Sequence, residues 1–321
     1  MKGIGDILEE KELSVCDECG SLFFRDSSQM MGLCPECANT LYGYPNCTHH
    51  FQNGRCVNCY WDGSKSKYIK KQNQQEELIM IATEWMNKYK SIKDKLVCKL
   101  NPDMYFVESV IGNMKVDVLD IGTVHCPTGK IFACDPLIEL EDSLPFIQTI
   151  PAGTYPIKIC VVPSEEYGNR YACAKLEISN EKPMRYEMGM VGEENLYEDL
   201  DDDSYFGFGV DAGMGCIADI QFQIAFKEYW AKRLEKDPDI DPYNDLFCEL
   251  LEENAKSHPK YQESHGDWLN WTIPNTNYNI PIFSSGWGDG YYPVYFGYDK
   301  NNEVCAVYVQ FIDIEACYKK Q

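Results

Sequence analysis

Residues 16–59 read CDECGSLFFRDSSQMMGLCPECANTLYGYPNCTHHFQNGRCVNC and hold seven of the 16 cysteines in the chain, together with His49 and His50. The cysteines fall as Cys16-x2-Cys19, Cys34-x2-Cys37, a lone Cys47 ahead of the histidine pair, and Cys56-x2-Cys59. Two residues between cysteines let both sulfurs reach one ion from a tight turn. A second such turn closes a tetrahedron with Zn–S bonds of about 2.3 Å. Taken in chain order, Cys16, Cys19, Cys34 and Cys37 make one ligand set, and Cys47, a histidine, Cys56 and Cys59 make a second. Both sets are filled by protein donors, which leaves no position for water, so the expectation is two structural zinc ions. Spacing alone does not separate zinc from iron. A segment this short buries too little surface to fold without its metal.

The histidine expected to complete the second set is His49, with His50 as the alternative. Cys47-x-His49-x-Phe51-x-x-Gly54-x-Cys56-x-x-Cys59 resembles a recurring small zinc-knuckle pattern and favours His49, whereas a two-residue gap after Cys47 favours His50. An interleaved cross-brace, with alternating pairs sharing an ion, would require longer reaches. Phe23 and Phe24, between the first two cysteine pairs, are the expected packing residues of the module.

Working outward, 321 residues exceed the usual single domain. The division expected is a two-zinc ribbon or knuckle module over 1–62, a basic helical linker over 63–99 and a larger body over 100–321. The linker holds nine lysines against four acids, and Leu78, Ile81, Trp85, Tyr89, Ile92 and Leu96 recur at steps of three or four. That spacing predicts an amphipathic helix whose apolar stripe packs on the body. The other nine cysteines are scattered singly, which fits small buried hydrophobes in a reducing compartment rather than disulfides. The first residues carry acids where a secretion signal needs an apolar stretch, and no run approaches the ~18 apolar residues of a membrane span. A cytoplasmic protein with no membrane partner is the expectation.

Charge is segregated. Residues 1–100 carry 13 basic and 13 acidic side chains, and the remainder carries 16 basic against 38 acidic, which accounts for the net −22. An acidic body repels phosphate backbones and is steered towards basic partners. Nucleic acid therefore has only the module and lysine-rich helix, residues 16–99, to bind. Residues 193–203 pack seven acids into eleven positions and read as an exposed loop.

Beyond Cys98 the texture is short β-prone runs between turn residues: 115–119, 155–162, 170–178, 185–191, 280–283, and 291–298 paired with 304–311 across an Asp299-Lys-Asn-Asn turn. One main helix is expected over 218–235, with Ile220, Ile224, Trp230 and Leu234 near one face. The fold class is thus α+β: the small metal module, the linker helix, and a mostly antiparallel body.

Two glycine–aspartate segments, 207–219 and 284–293, are where chemistry in the body would sit. Asp211, Asp219 and Asp289 are the candidate metal ligands or acid–base groups, with Asp135, Glu187 and Asp313 completing an acidic set. The bland reading makes Asp211 a turn residue, Asp219 a first-turn helix acid and Asp289 an Asx-turn residue. Nucleophilic catalysis is poorly supplied, since His125 and Cys126 are neighbours on opposite faces of a strand and His258 and His265 lie in a polar connection.

The order Asp135-Pro136, Pro151-Ala-Gly-Thr-Tyr-Pro156, Gly209-Val-Asp-Ala-Gly213 with Asp219, Ser285-Gly-Trp-Gly-Asp-Gly-Tyr291 and Gly297-Tyr-Asp299 resembles the bacterial domain-of-unknown-function family 4241, over about Asp103 to Ile314. The module lies outside it. The resemblance implies no activity, and its acidic, β-rich character is similar to that of toxin-immunity and defence components. The reading favoured is a zinc-stabilised binding protein whose acidic body recognises a basic protein partner. The alternatives are a metal-dependent hydrolase or phosphotransfer enzyme using Asp211, Asp219 and Asp289, and nucleic-acid binding through residues 16–99.

Overall fold

A computed structural model describes residues 11–318 except 97, 99, 167 and 198–203, and omits the side chains of 72–79. Leu78 of the linker stripe and the second half of the acidic run therefore lie outside the described residues. The chain divides into two compact units, Met1–Glu84 and Trp85–Gln321. The division falls inside the linker helix.

The first unit is two small cysteine-bearing loops joined by a short helix. Strands β1 (Leu13–Val15) and β2 (Leu22–Phe24) pair as a hairpin, followed by α1 (Pro35–Tyr42) and a second hairpin of β3 (Phe51–Gln52) and β4 (Arg55–Cys56). Its core is mainly sulfur and aromatic carbon: Phe23, Leu33 and Trp61 pack with five buried cysteines, Cys19 and Cys47 lie partly buried beside them, and Ile69 of α2 (Lys67–Ile92) completes it. The C-terminal end of α2 belongs to the second unit. There Tyr89, Ile92 and Leu96 are buried in the body and Trp85 packs half-buried beside them, as the stripe predicts, while Ile81 stands exposed.

The body is α+β, and every strand pair within it is antiparallel. After a short helix α3 (Met104–Val107) and a small hairpin of β5 (Val110–Ile111) and β6 (Met114–Lys115), the strands form two main sheets. The first contains β7 (Asp117–Cys126), β9 (Gly153–Val162), β10 (Arg170–Glu177), β11 (Arg185–Met188), β17 (Val294–Tyr298) and β18 (Val304–Gln310), in the order β11-β17-β18-β10-β9-β7. The second contains β8 (Ile131–Cys134), β13 (Met214–Asp219), β14 (Trp268–Thr272) and β15 (Asn279–Ser284), in the order β14-β15-β13-β8. A separate ribbon pairs β12 (Phe208–Val210) with β16 (Gly290–Tyr292).

Period-two alternation explains the layering. In the four-stranded sheet Ile131, Ala133, Ile217 and Phe283 face the core shared with the six-stranded sheet. Their neighbours Phe132, Cys134, Cys216, Ala218 and Ile282 face a second core. Helix α4 (Ile220–Leu234) and helix α5 (Cys248–Ser257) cover that second core. Phe226 sits within it, stacked on Phe222, Trp230 and Phe247 at 5.9–6.1 Å and met edge-on by Trp271.

Three expectations need correction. The buried face of α4 is Phe222, Phe226 and Trp230, an i, i+4, i+8 row of rings, whereas Ile224 and Leu234 are exposed. The row with the larger aromatic area wins the core. Ala218 belongs to β13 rather than to the helix. Residues 291 and 292 leave the final hairpin for the separate ribbon, because Pro293 has no N–H to continue a ladder. The hairpin itself forms as expected between β17 and β18, with Asp299 accepting from the backbone N–H groups of Asn301 and Glu303 at 2.8 and 2.9 Å. Helix α5 has no counterpart in the sequence reading.

Candidate metal centres and the paired glycine–aspartate loops

The first ligand loop closes between β1 and β2. Gly20 adopts φ +73° and donates its N–H to the Cys16 carbonyl, a turn that brings Cys16 and Cys19 together. The second pair opens α1: Cys34 is its N-cap, Pro35 supplies the preset φ of the first turn, and the Cys37 N–H points at the Cys34 sulfur at 3.5 Å. The four sulfurs of Cys16, Cys19, Cys34 and Cys37 lie within 4.8 Å of one another. Cys19 and Cys34 are 3.8 Å apart, close to the roughly 3.8 Å edge of a tetrahedron with Zn–S bonds of 2.3 Å.

The electrostatics of this group point the same way. A hydrogen bond from the Cys34 thiol holds the Cys16 thiol down to about 4, and that same bond, with burial, pushes Cys34 up. Burial also raises Cys19 and Cys37. Three buried sulfurs and the partly buried Cys19 cannot all ionise side by side unless a cation neutralises them. A soft, four-coordinate divalent ion fits this donor set.

The second group is built on the β3–β4 hairpin, whose turn places Asn53 and Gly54 at φ +52° and +76°. The ligand atoms of Cys47, His49, Cys56 and Cys59 lie within 4.8 Å of one another. Cys47 and Cys56 sulfurs are 3.9 Å apart, and His49 Nδ1 is 3.4 Å from the Cys59 sulfur. Burial would raise the Cys56 thiol, but the Cys59 backbone N–H and His49 more than offset it and bring it down to about 6. His49 packs against Trp61 with the rings tilted by 42° and their centroids 4.7 Å apart. His50 is exposed and turns Nδ1 towards the Thr48 carbonyl at 3.1 Å, outside the group. The two groups follow chain order and share no pair.

Arg55 and Glu36 tie the two loops together, and the sequence carries no signal for either role. Arg55 Nη1 donates to the carbonyls of Leu22 and Tyr60 at 3.3 and 3.1 Å, and its guanidinium lies over the Tyr60 ring. Glu36 Oε2 accepts from Asn46 Nδ2 at 2.7 Å.

In the body the structure separates the candidate carboxylates. Asp219 is fully buried at the far end of β13, and caps α4 by accepting from the Gln221 N–H at 2.9 Å. It also accepts from the N–H groups of Thr128 and Gly129, both at 3.0 Å, and from the Thr128 hydroxyl. Its oxygens are occupied in holding a turn. Asp135 is likewise buried and clamps the other end, accepting from Leu137, Asp211 and Ala212 N–H groups at 2.7–3.0 Å. Asp211 and Asp289 are exposed, and no hydrogen bond or ion pair among the described residues engages their carboxylates. Six residues of strand, roughly 17 Å, lie between the Asp211 end and Asp219. Among the described residues, Asp211, Asp219 and Asp289 thus form no ligand group. Glu187 pairs with Arg185 at 2.6 Å, and Asp313 caps the short helix α6 (Ile314–Cys317).

The two glycine–aspartate segments nevertheless run side by side. Val210 pairs with Gly290 across the β12–β16 ribbon, and the Ser285 N–H donates to the Gly213 carbonyl at 3.0 Å. The close approach explains Gly207, where a Cβ would fall 2.0 Å from the Tyr292 carbonyl oxygen, whereas Gly213 and Gly288 are required by their positive φ of +71° and +101°. Beside them is a pocket of about 450 Å³ lined by Leu137, Ile138, Gly213, Met214, Tyr243 and His265, among others. Ser284 opens on it, but gives its proton to Asp267 Oδ1 at 3.1 Å rather than to a histidine. No serine–histidine dyad results.

Residues 124–309 match the family described as Protein of unknown function (DUF4241). The chain belongs to this family. The paired loops and the Asp135 and Asp219 clamps all fall inside the matched DUF4241 stretch, while both cysteine groups precede it. Comparison with curated proteins and with solved structures returned no match. No helix among the described residues is long and apolar enough to cross a membrane.

Proposed function

We propose that this DUF4241 protein is a zinc-stabilised recognition protein. Two ions held by Cys16, Cys19, Cys34 and Cys37 and by Cys47, His49, Cys56 and Cys59 build the first unit, and the acidic body binds a basic protein partner. Closed four-ligand sets support a structural rather than a catalytic metal. The buried carboxylates of the body are consumed in backbone clamps, which argues against the hydrolase or phosphotransfer reading.

The observation that carries the binding reading is the face presented by the paired loops. Trp287 and Tyr291 on these segments and Tyr205 just before them are 44–47% exposed, with Tyr205 stacked on Tyr291 at 6.1 Å. The unpaired carboxylates of Asp211 and Asp289 flank one end of the ribbon that carries Tyr291, next to the Val210–Gly290 pair. Half-exposed Tyr205 and Tyr291 beside unpaired acids are what a lysine- or arginine-bearing surface requires, through cation–π contact and charge pairing, while the Trp287 ring already carries the chain's own Arg170 guanidinium at 4.7 Å and adds apolar area. A basic toxin or defence component is the partner class in view, in a cytoplasmic, bacterial setting.

The test begins with cross-linking in native cells and continues with the recovered partner and the purified chain. The expected partner is basic, its affinity falls about tenfold or more between low and physiological salt, and Trp287→Ala or Tyr291→Ala weakens it further. A salt-independent complex that ignores these two variants overturns the proposal.

A further inference from the structure

His49 has two ring nitrogens and only one of them faces the sulfur group. Nδ1 lies 3.4 Å from the Cys59 sulfur, on the ligand side. Nε2 is buried and makes no hydrogen bond, yet Glu36 Oε2 stands 3.4 Å from it. A buried ring N–H without a partner is costly, and a carboxylate at that distance needs only a small adjustment to accept from it. Glu36 sits in the first turn of α1, between Cys34 and Cys37 of the other group. The same Oε2 accepts from Asn46 Nδ2, and the Cys47 N–H donates to Asn46 Oδ1 at 2.7 Å, so one carboxylate borders both sides of the Cys47–His49 segment.

We propose that Glu36 is a positioning residue that couples the two metal groups. By accepting from His49 Nε2–H it fixes the tautomer in which Nδ1 carries the lone pair for the metal, and it holds Cys47 through Asn46. Carboxylates behind metal-bound histidines act in this way. Here the carboxylate is carried by the helix that the first group organises. Order at Cys34 and Cys37 places α1, α1 places Glu36, and Glu36 places His49. Filling the first group therefore prepares the second, and metal is taken up cooperatively. This inference rests on both groups holding zinc.

The test uses the full chain loaded with zinc and challenged with a chromophoric chelator, alongside cadmium-113 spectra that separate a four-sulfur from a three-sulfur, one-nitrogen site. The expected result is two equivalents in the wild type, with Glu36→Gln and Glu36→Ala releasing the metal of the Cys47–His49 site about 10 to 100 times faster and the other within about twofold. Nitrogen-15 spectra should show His49 bound through Nδ1 and protonated at Nε2. Cys16→Ser, which damages the first group from the side opposite α1, should also loosen the second, and should loosen it no further once Glu36 is alanine. Two equivalents with release unchanged by both Glu36 variants, or both sites loosened equally, overturns the coupling alone. Fewer than two equivalents in the wild type overturns it together with the two-zinc reading.

Discussion

In the first unit the sulfurs of Cys16, Cys19, Cys34 and Cys37 turn towards one another, and those of Cys47, Cys56 and Cys59 turn towards His49. In the body Cys126, Cys160 and Cys173 are just as buried but turn towards hydrocarbon: Cys160 and Cys173 are register partners on β9 and β10 at the centre of the six-stranded sheet, and Cys126 ends β7. Even Cys134 and Cys216, register partners whose sulfurs approach to 3.5 Å, have no third or fourth donor among the described residues. Burial is the same in the two settings, and what differs is company. Sulfur that converges with other donors in a group of four can hold a metal, while sulfur in a two-residue strand repeat is a small apolar side chain.

The largest expected effect of this difference follows metal removal. Chelation should abolish ordered structure across residues 13–61, because structural zinc supplies on the order of 10 kcal/mol to such modules. The body should keep its melting transition. Amide exchange measured with and without chelator checks this, and protection of both units after complete demetallation would break the comparison.

Alkaline pH probes the other side. Burial pushes the Cys126 and Cys160 thiols up to about 12 and Cys173 well above its ordinary value. A raised thiol contributes stability that is complete below the unfolded value of about 8.5 and is lost as pH climbs towards the folded value. At pH 10 each such thiol should cost the body about 2 kcal/mol. Urea midpoints between pH 8 and 10.5 report it, and a flat profile would mean that the body thiols are not buried in hydrocarbon. Acid, by protonating ligand sulfur, should act on the first unit instead.

Smaller effects sharpen the contrast further. Asp219→Ala strands the N–H groups of Thr128, Gly129 and Gln221, and should lower body stability by about 3 kcal/mol without loss of metal, as read by urea unfolding and elemental analysis. Cys126→Ser places an unpartnered hydroxyl in the core at a cost of about 1–2 kcal/mol and should leave the metal content intact. Cys59→Ser should instead remove about one equivalent of metal. Metal loss from the body variant would contradict the division of roles.

The legible parts of the sequence were those with short-range physical rules. The spacing of Cys16 to Cys59 named both ligand groups, because a tight turn brings x2-separated sulfurs together wherever it occurs. Period-two runs marked β9, β10 and the β17–β18 hairpin. The illegible parts depend on partners distant in the chain. Asp211, Asp219 and Asp289 look alike in a string, yet Asp219 meets the turn at 128–129 from across the sheet, while Asp211 and Asp289 stay in solvent. Ile224 and Phe222 are both apolar helix residues, and only the ring of Phe226 beside Trp271 decides which face is buried. Glu36 reads as a first-turn acid favoured by the helix dipole, and nothing local reveals His49 on its far side.

By itself the sequence determined the two ligand sets, the segregation of negative charge into residues 101–321 and the antiparallel, strand-rich character of the body. These follow from turns, charges and alternation that each residue expresses with its near neighbours. Only the tertiary structure set His50 aside from the group that His49 joins, placed Glu36 between the two groups, and made the buried aspartates clamps while the exposed ones face outwards. Those outcomes depend on which side chains are brought together across 13 residues, from Glu36 to His49, or across 91, from Thr128 to Asp219. Local propensity does not reach that far.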